Sequence, residues 1–212
     1  IINDLNILTL SGYFAYEIED QPSDIGFLRI DGNGDITDEW NRTEETAATN
    51  PKIQYEFQYK KDFEDSEDHM FLFSALGNFF GKDQSSDFVN TNIIGDFADP
   101  NQQTRTNFNQ ATYTFKADYT KPFTEEITVE AGGQYIIQDS DNDFSVSNFI
   151  NDEFVIDEGL TNIFNFDQDV LGVYATGAYE DERWGVKAGL RVENTDLETL
   201  LENTNERNTQ NY

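Results

Sequence analysis

The chain has 212 residues, no cysteine, and 42 acidic against 13 basic side chains, giving a formal net charge of −29. The missing cysteines exclude a disulfide framework and a thiolate metal site, and the charge makes nucleic acid an unfavourable partner, because one polyanion repels another. Aromatics at 14% are too many for a disordered acidic chain, and no apolar run reaches the ~18 residues of a membrane helix.

The negative mean hydropathy is compatible with a membrane barrel, in which only alternate residues of a strand meet lipid. Ile1-Ile2-Asn3-Asp4 has neither the basic nor the apolar region of a secretion signal. The sequence therefore reads as a mature chain or an internal piece of one.

In chain order, Leu5 to Ile18 is the first strand, with Leu8, Leu10, Gly12, Phe14, Tyr16 and Ile18 on one face. Residues 19–42 read as a polar excursion around Asp31-Gly-Asn33-Gly-Asp35, which is dense in turn formers. A second strand lies within 43–61, where Ile53, Tyr55, Phe57 and Tyr59 alternate with polar residues. A short acidic turn, 63–68, leads to a third strand over 69–81, and a long polar loop follows over 82–103.

The fourth strand, Thr104 to Thr120, sets Ala111, Tyr113, Phe115, Ala117 and Tyr119 opposite a polar face. A tight turn at Lys121-Pro-Phe-Thr124 joins it to the fifth, where Ile127, Val129, Ala131, Gly133, Tyr135 and Ile137 share one face; proline cannot donate to a ladder and suits a turn. Residues 139–168 read as another long excursion, 169–180 as the sixth strand and 184–193 as the seventh. Beyond 193 the pattern is polar, with Leu197, Leu200 and Leu201 suggesting a short helical turn.

Short connections at 63–68, 121–124 and 181–183 thus alternate with long ones at 19–42, 82–103 and 139–168. That asymmetry is the topology of an outer-membrane barrel, with short periplasmic turns and long extracellular loops. Tyr59, Phe63, Phe71, Tyr119, Phe123, Tyr179 and Trp184 cluster beside the short turns, where an interfacial aromatic girdle belongs. The fold class read from the pattern is all-β, an antiparallel up-and-down transmembrane β-barrel segment of about seven strands over residues 1–212. A soluble sheet with its apolar face inside produces the same alternation.

Four stretches carry a resemblance to a known family. They are Tyr59-Lys-Lys-Asp-Phe63 with His69; Ala117-Asp-Tyr-Thr-Lys-Pro122 followed by Ile127-Thr-Val-Glu-Ala-Gly-Gly133; Asn162-Ile-Phe-Asn-Phe-Asp-Gln-Asp-Val-Leu-Gly-Val-Tyr-Ala175; and Trp184-Gly-Val-Lys-Ala-Gly-Leu-Arg-Val-Glu-Asn-Thr195. In this order and spacing the chain resembles part of the barrel of TonB-dependent outer-membrane receptors of the Bacteroidetes type. The resemblance implies a wider barrel of about 22 strands, a plug domain and a TonB-contacting segment outside these residues, and further strands beyond Tyr212. It implies location in the Gram-negative outer membrane, lipid, the protein's own plug, the TonB complex and a small nutrient as partners, and import of siderophore-iron, glycan or peptide. A plugless barrel or adhesin, and a secreted calcium-dependent carbohydrate-binding β-sandwich, stand as alternatives.

No catalytic constellation is visible, and no enzyme activity is expected. His69 is the single histidine and reads as an interfacial turn residue. Asp31, Asn33 and Asp35 suggest a calcium loop, but Ile36 and Arg42 stand where an EF-hand needs glycine and an acid, leaving a looser oxygen site. Asp139, Asp141 and Asp143 offer a second set of hard oxygen ligands. No other cofactor is expected. The polar set Glu56, Lys116, Asp118, Glu130, Lys187, Arg191 and Glu193 is expected to face the barrel interior and meet the plug.

Overall fold

The strands run well past the apolar alternation that marks them in the sequence. A computed structural model describes residues 3–212. Among them it contains nine strands: β1 (Asn6–Ile30), β2 (Ile36–Asp62), β3 (Met70–Ile94), β4 (Gln102–Pro122), β5 (Ile127–Ile150), β6 (Glu153–Ile156), β7 (Asn162–Glu180), β8 (Gly185–Leu201) and β9 (Glu206–Asn211). They form one antiparallel sheet in the order β1-β2-β3-β4-β5-β7-β8-β9, with the short β6 hydrogen-bonded to the end of β5. Every strand pairs with its neighbour in sequence except that β7 passes β6 to reach β5.

Two sequence expectations are corrected here, the long loops and the helical turn beyond residue 193. The regions expected as long loops, 19–42, 82–103 and 139–168, are mostly strand. At that end of the sheet β1 turns into β2 through the five residues 31–35, where Gly34 takes the left-handed φ of 93°. β5 turns into β6 at Asn151 and Asp152, both at positive φ, the pairing that a two-residue hairpin turn requires and that Asn and Asp tolerate. Leu197, Leu200 and Leu201 belong to β8 and not to a helical turn, and β9 follows. Stretches such as 19–24, 82–87 and 139–143 are polar on both faces, and where apolar residues return, at Phe144, Val146, Phe164 and Phe166, they lie on the parity opposite the apolar band, so the alternation of the band does not continue through them.

Side chains of one parity form a continuous apolar face: Phe14 opposite Ile53, Ile53 opposite Phe79, Phe79 opposite Ala111, and Tyr113 opposite Ile137. Along β4 and β5 this face is the more exposed one, while its polar counterpart is half-buried. Side chains crowd on the concave side of a curved sheet and spread on the convex side, so the apolar face is the convex one. Leu10 is 79% exposed and Leu190 83%. Trp40, Ala48 and Val146 are the buried hydrophobic residues, and no second layer covers the sheet among the described residues. So large an exposed apolar face belongs against another apolar phase.

The apolar band ends abruptly. On β5 the convex residues pass from Ile137 to Asp139, on β7 from Leu171 to Asp169, on β4 from Ala111 to Asn109. The last apolar residue of one strand pairs with the first polar residue of the next: Ala111 with Asp139, Ile137 with Asp169, Leu171 with Asn194. The boundary thus shifts by two residues at each of these pairings. With a rise of ~3.4 Å per residue and strands ~4.8 Å apart, the strands lean about 55° from the normal to that boundary, in the sense of the tilt of membrane-spanning strands but steeper than their usual ~35–45°. The band from Ile127 to Ile137 also matches the about 9–11 residues that a tilted strand needs to cross lipid. Beyond it the strands continue out of the membrane, on the side opposite the short turns.

Candidate functional site

The concave face divides into two storeys. Near the short turns it is charged. Asp118, Gly132, Tyr174 and Arg191 form one row across β4, β5, β7 and β8. Lys116 pairs with Asp118 at 2.9 Å, and the Tyr174 hydroxyl donates to Asp118 from two strands away. In the neighbouring row Glu130 accepts from Thr176 at 2.9 Å and from Lys187 at 2.7 Å. Arg191 donates through Nε and a terminal nitrogen to Glu193, at 3.1 and 2.7 Å. Glu56 lies on the same face of β2 and accepts from Gln58 at 2.6 Å.

All seven residues expected to face the interior therefore share the concave face, and six of them gather on β4–β8. Tyr174, Thr176 and the glycines between them were not anticipated. A Cβ at Gly132 would lie 2.6 Å from Asp118 Oδ1 and 2.7 Å from the Tyr174 ring, and one at Gly172 would lie 2.9 Å from Arg191. These glycines leave the flat space in which Tyr174 and Arg191 lie across neighbouring strands, a relation that only the register reveals. The ion pairs are half-exposed, so each stabilises by no more than about 0–1 kcal/mol. The network orders this face more than it holds the sheet together.

Above it the concave face is uncharged on β4, β5, β7 and β8, while β1–β3 carry Glu17, Glu19, Arg42, Glu44, Lys52 and Lys82 on the same face. From Thr112 to Gln102 on β4, Ile136 to Asn148 on β5, Gly172 to Asn162 on β7 and Thr195 to Leu201 on β8, the inward side chains include no Asp, Glu, Lys or Arg. They are amides, hydroxyls, aliphatics and phenyl rings. Phe80 and Phe108 sit 6.0 Å apart. Phe108, Phe164 and Phe166, with Gln138, Ser140 and Asn142, line a depression of about 240 Å³. Asp141 borders it, but its carboxylate accepts from Asn109 on the convex side, at 3.2 Å.

The charge lies on the other face at the same height. Asp139, Asp141 and Asp143 are on strand β5, not in a loop, and all point to the convex side, where Asp139 meets Asp167 and Ile137 meets Asp169 in register. Asp31, Asn33 and Asp35 form the β1–β2 turn. There Asp31 Oδ1 accepts the backbone N–H groups of Asn33 and Asp35, at 2.8 and 2.9 Å. The Asp35 and Asn33 amides hold the Asp31 carboxyl below its ordinary pKa. No three acidic or histidine side chains among the described residues are gathered closely enough to hold a metal ion.

Two further clusters flank the membrane band. At the tip of β1–β2, Trp40 stacks on Phe27 at 5.2 Å and meets Phe97 edge-on at 5.5 Å. The Arg29 guanidinium lies 3.4 Å over Phe97, and Arg42 pairs with Asp99 at 3.1 Å. Trp40 Nε1 is buried without a partner. This small core pins the connection after β3 to the hairpin. At the opposite end the His69 ring is buried, stacked on Phe63 at 4.0 Å. Its Nε2 is 2.7 Å from the Tyr119 hydroxyl and its Nδ1 bonds Asp65. That hydrogen bond keeps the Asp65 carboxyl below its ordinary pKa. Tyr179 and Trp184, 5.3 Å apart, continue the aromatic girdle along the short turns.

A family model described as "Outer membrane protein beta-barrel family" matches residues 61–212. No curated protein and no solved structure matches the chain.

Proposed function

Because the chain belongs to the outer membrane protein beta-barrel family, and so to the outer membrane, we propose that it forms part of the barrel of a TonB-dependent receptor that imports a scarce nutrient. The observation that carries this reading is the charged storey of the concave face. Lys116, Asp118, Glu130, Lys187, Arg191 and Glu193 project half-exposed hydrogen-bonding groups into the interior. A plug domain would dock there through ion pairs and hydrogen bonds that it can exchange, since none is worth much singly. The sheet is open, with β1 at one edge and β8 and β9 at the other. Unpaired backbone groups are not tolerated in lipid, so further strands close a wider barrel.

In this reading, extracellular strand ends capture the nutrient, and an inner-membrane complex driven by the proton-motive force rearranges the plug to admit it. The test is uptake by the producing cell with and without that complex, together with cysteine cross-linking from Glu130 and Lys187. Energy-dependent uptake and cross-links to a plug segment of the same polypeptide are expected. Passage independent of energy, with no cross-link, identifies a plugless channel or adhesin instead.

A further inference from the structure

The chain carries a net charge of −29, yet the upper concave face of β4, β5, β7 and β8 holds none of it. On the convex side of the same strands, at the same height, stand Asp139, Asp141, Asp143, Asp167, Asp169, Asp196 and Glu198. The two faces alternate residue by residue, so the segregation is between neighbours in sequence: Asp139 out and Ser140 in, Asp167 out and Phe166 in. Solubility alone would place charge on both wet faces. A wall free of charge over four strands offers an ion little to offset its lost hydration; the charges of the same face lie on β1–β3, with Lys82 opposite Phe108.

Amides and hydroxyls fill the rest of the face. Gln102, Gln110, Gln138, Asn142 and Gln168 each offer both donor and acceptor, the capability needed to bond a hydroxyl in either direction. Between them lie the flat rings of Phe108, Phe164 and Phe166 around the depression of about 240 Å³; Phe164 is 39% exposed. A phenyl ring exposed in a wet interior has unsatisfied apolar area, which the C–H faces of a sugar ring cover while its hydroxyls reach the amides at the ring's edge. Mostly apolar walls with a few convergent polar groups are the usual composition of a ligand site. A ferric siderophore or an acidic peptide would need cations here, and those present stand at the borders of the face: Lys52, 5.6 Å over Phe80, Lys82, paired with Phe108 in register, and Arg191 beside Gly172.

We propose that this uncharged aromatic and amide face binds a neutral oligosaccharide, with Phe108, Phe164 and Phe166 as the stacking platform. The proposal rests on the reading that the concave face lines a transport barrel, and it narrows the nutrient to neutral glycans.

The test uses the full-length protein, extracted from the outer membrane in detergent and applied to an array of neutral and acidic oligosaccharides. Hits are titrated by calorimetry beside ferric citrate as the charged probe. Neutral oligosaccharides alone should bind. Phe108→Ala should weaken binding about tenfold, the order of a lost aromatic contact. Phe108→Trp should stay near the parent, Phe108→Leu should behave like the alanine variant, and Asp167→Asn on the convex face should change nothing. Heat-dependent gel mobility checks that each variant is a folded barrel. Binding of no neutral glycan, preference for an acidic glycan or ferric citrate, or full binding by Phe108→Leu overturns the proposal. So does a cysteine at Gln138 shielded from thiol reagents in the resting protein, which would mean that the plug covers this face. Glycan binding that persists while uptake proves independent of the energising complex would instead sink the transporter reading and leave the site standing.

Discussion

Tyr174 lies across Gly132. The two are paired in register on β7 and β5, and the ring occupies the space a side chain at Gly132 would fill, so that the hydroxyl reaches Asp118 on β4. One aromatic residue thereby covers the glycine's bare backbone and links three strands. The same device appears on the lipid face, where the Tyr55 ring fills the position of a Cβ at Gly77.

Substitution at Gly132 should therefore act through Tyr174. Gly132→Val should destabilise the barrel by about 1–3 kcal/mol, the usual cost of overpacking, while Tyr174→Phe, which loses one charge-assisted hydrogen bond in a half-exposed site, should cost about 1 kcal/mol. The double variant should cost less than the sum, because the valine has already displaced the ring. Denaturant midpoints in detergent measure all three.

The faces of β5 make opposite predictions for neighbouring residues. A cysteine at Val129 should resist a membrane-impermeant thiol reagent and be quenched by a lipid-tail spin label. A cysteine at Glu130, one residue on, should react from water. Shielding of Val129 from both water and lipid would mean a buried protein core and would contradict the convex apolar face.

Charge on the membrane band should be costly according to depth. Phe115→Arg, in the middle of the band on β4, should destabilise by about 2–4 kcal/mol. Asn107→Arg, on the same face beyond the boundary at Ala111 and Asn109, should be close to neutral. Equal costs at the two positions would show that the apolar-to-polar step is not the edge of the lipid.

The Asp31 turn should respond to acid. Its folded pKa lies below the ordinary carboxylate value because the Asp35 and Asn33 amides donate to the ionised form. The stabilisation is therefore full above the ordinary value, and it is lost as pH falls from there through the lowered folded value. Protection of the Asn33 and Asp35 amides, taken relative to intrinsic exchange at each pH, should fall across that window, and Asp31→Asn should remove this fall. Unchanged protection in the parent would show that the turn does not depend on the carboxylate.

The sequence by itself determined the architecture of the membrane band. Alternation at 8–18, 53–59, 111–119, 127–137 and 171–179 marks one face of each strand, because side chains leave a strand on alternate sides whatever surrounds it. The short turns and their aromatics were legible for the same local reason, proline and acidic runs at the ends of those patterns. That Glu56, Lys116, Asp118, Glu130, Lys187, Arg191 and Glu193 share one face of the sheet was legible by parity alone.

Tertiary structure decided what parity does not contain. Strand ends beyond the band were hidden because their apolar residues are few and switch parity, as at Phe144, Val146, Phe164 and Phe166, and pairing with a neighbour keeps residues such as 19–30 and 139–150 extended. The partnership of Tyr174 with Gly132 and Asp118, and the gathering of Phe108, Phe164 and Phe166 from two strands, depend on register, which is set by hydrogen bonds between segments far apart in the chain. The same holds for the direction of curvature. An apolar face reads identically whether it is folded inward as a core or outward toward lipid, and here the sheet bends so that it lies outside.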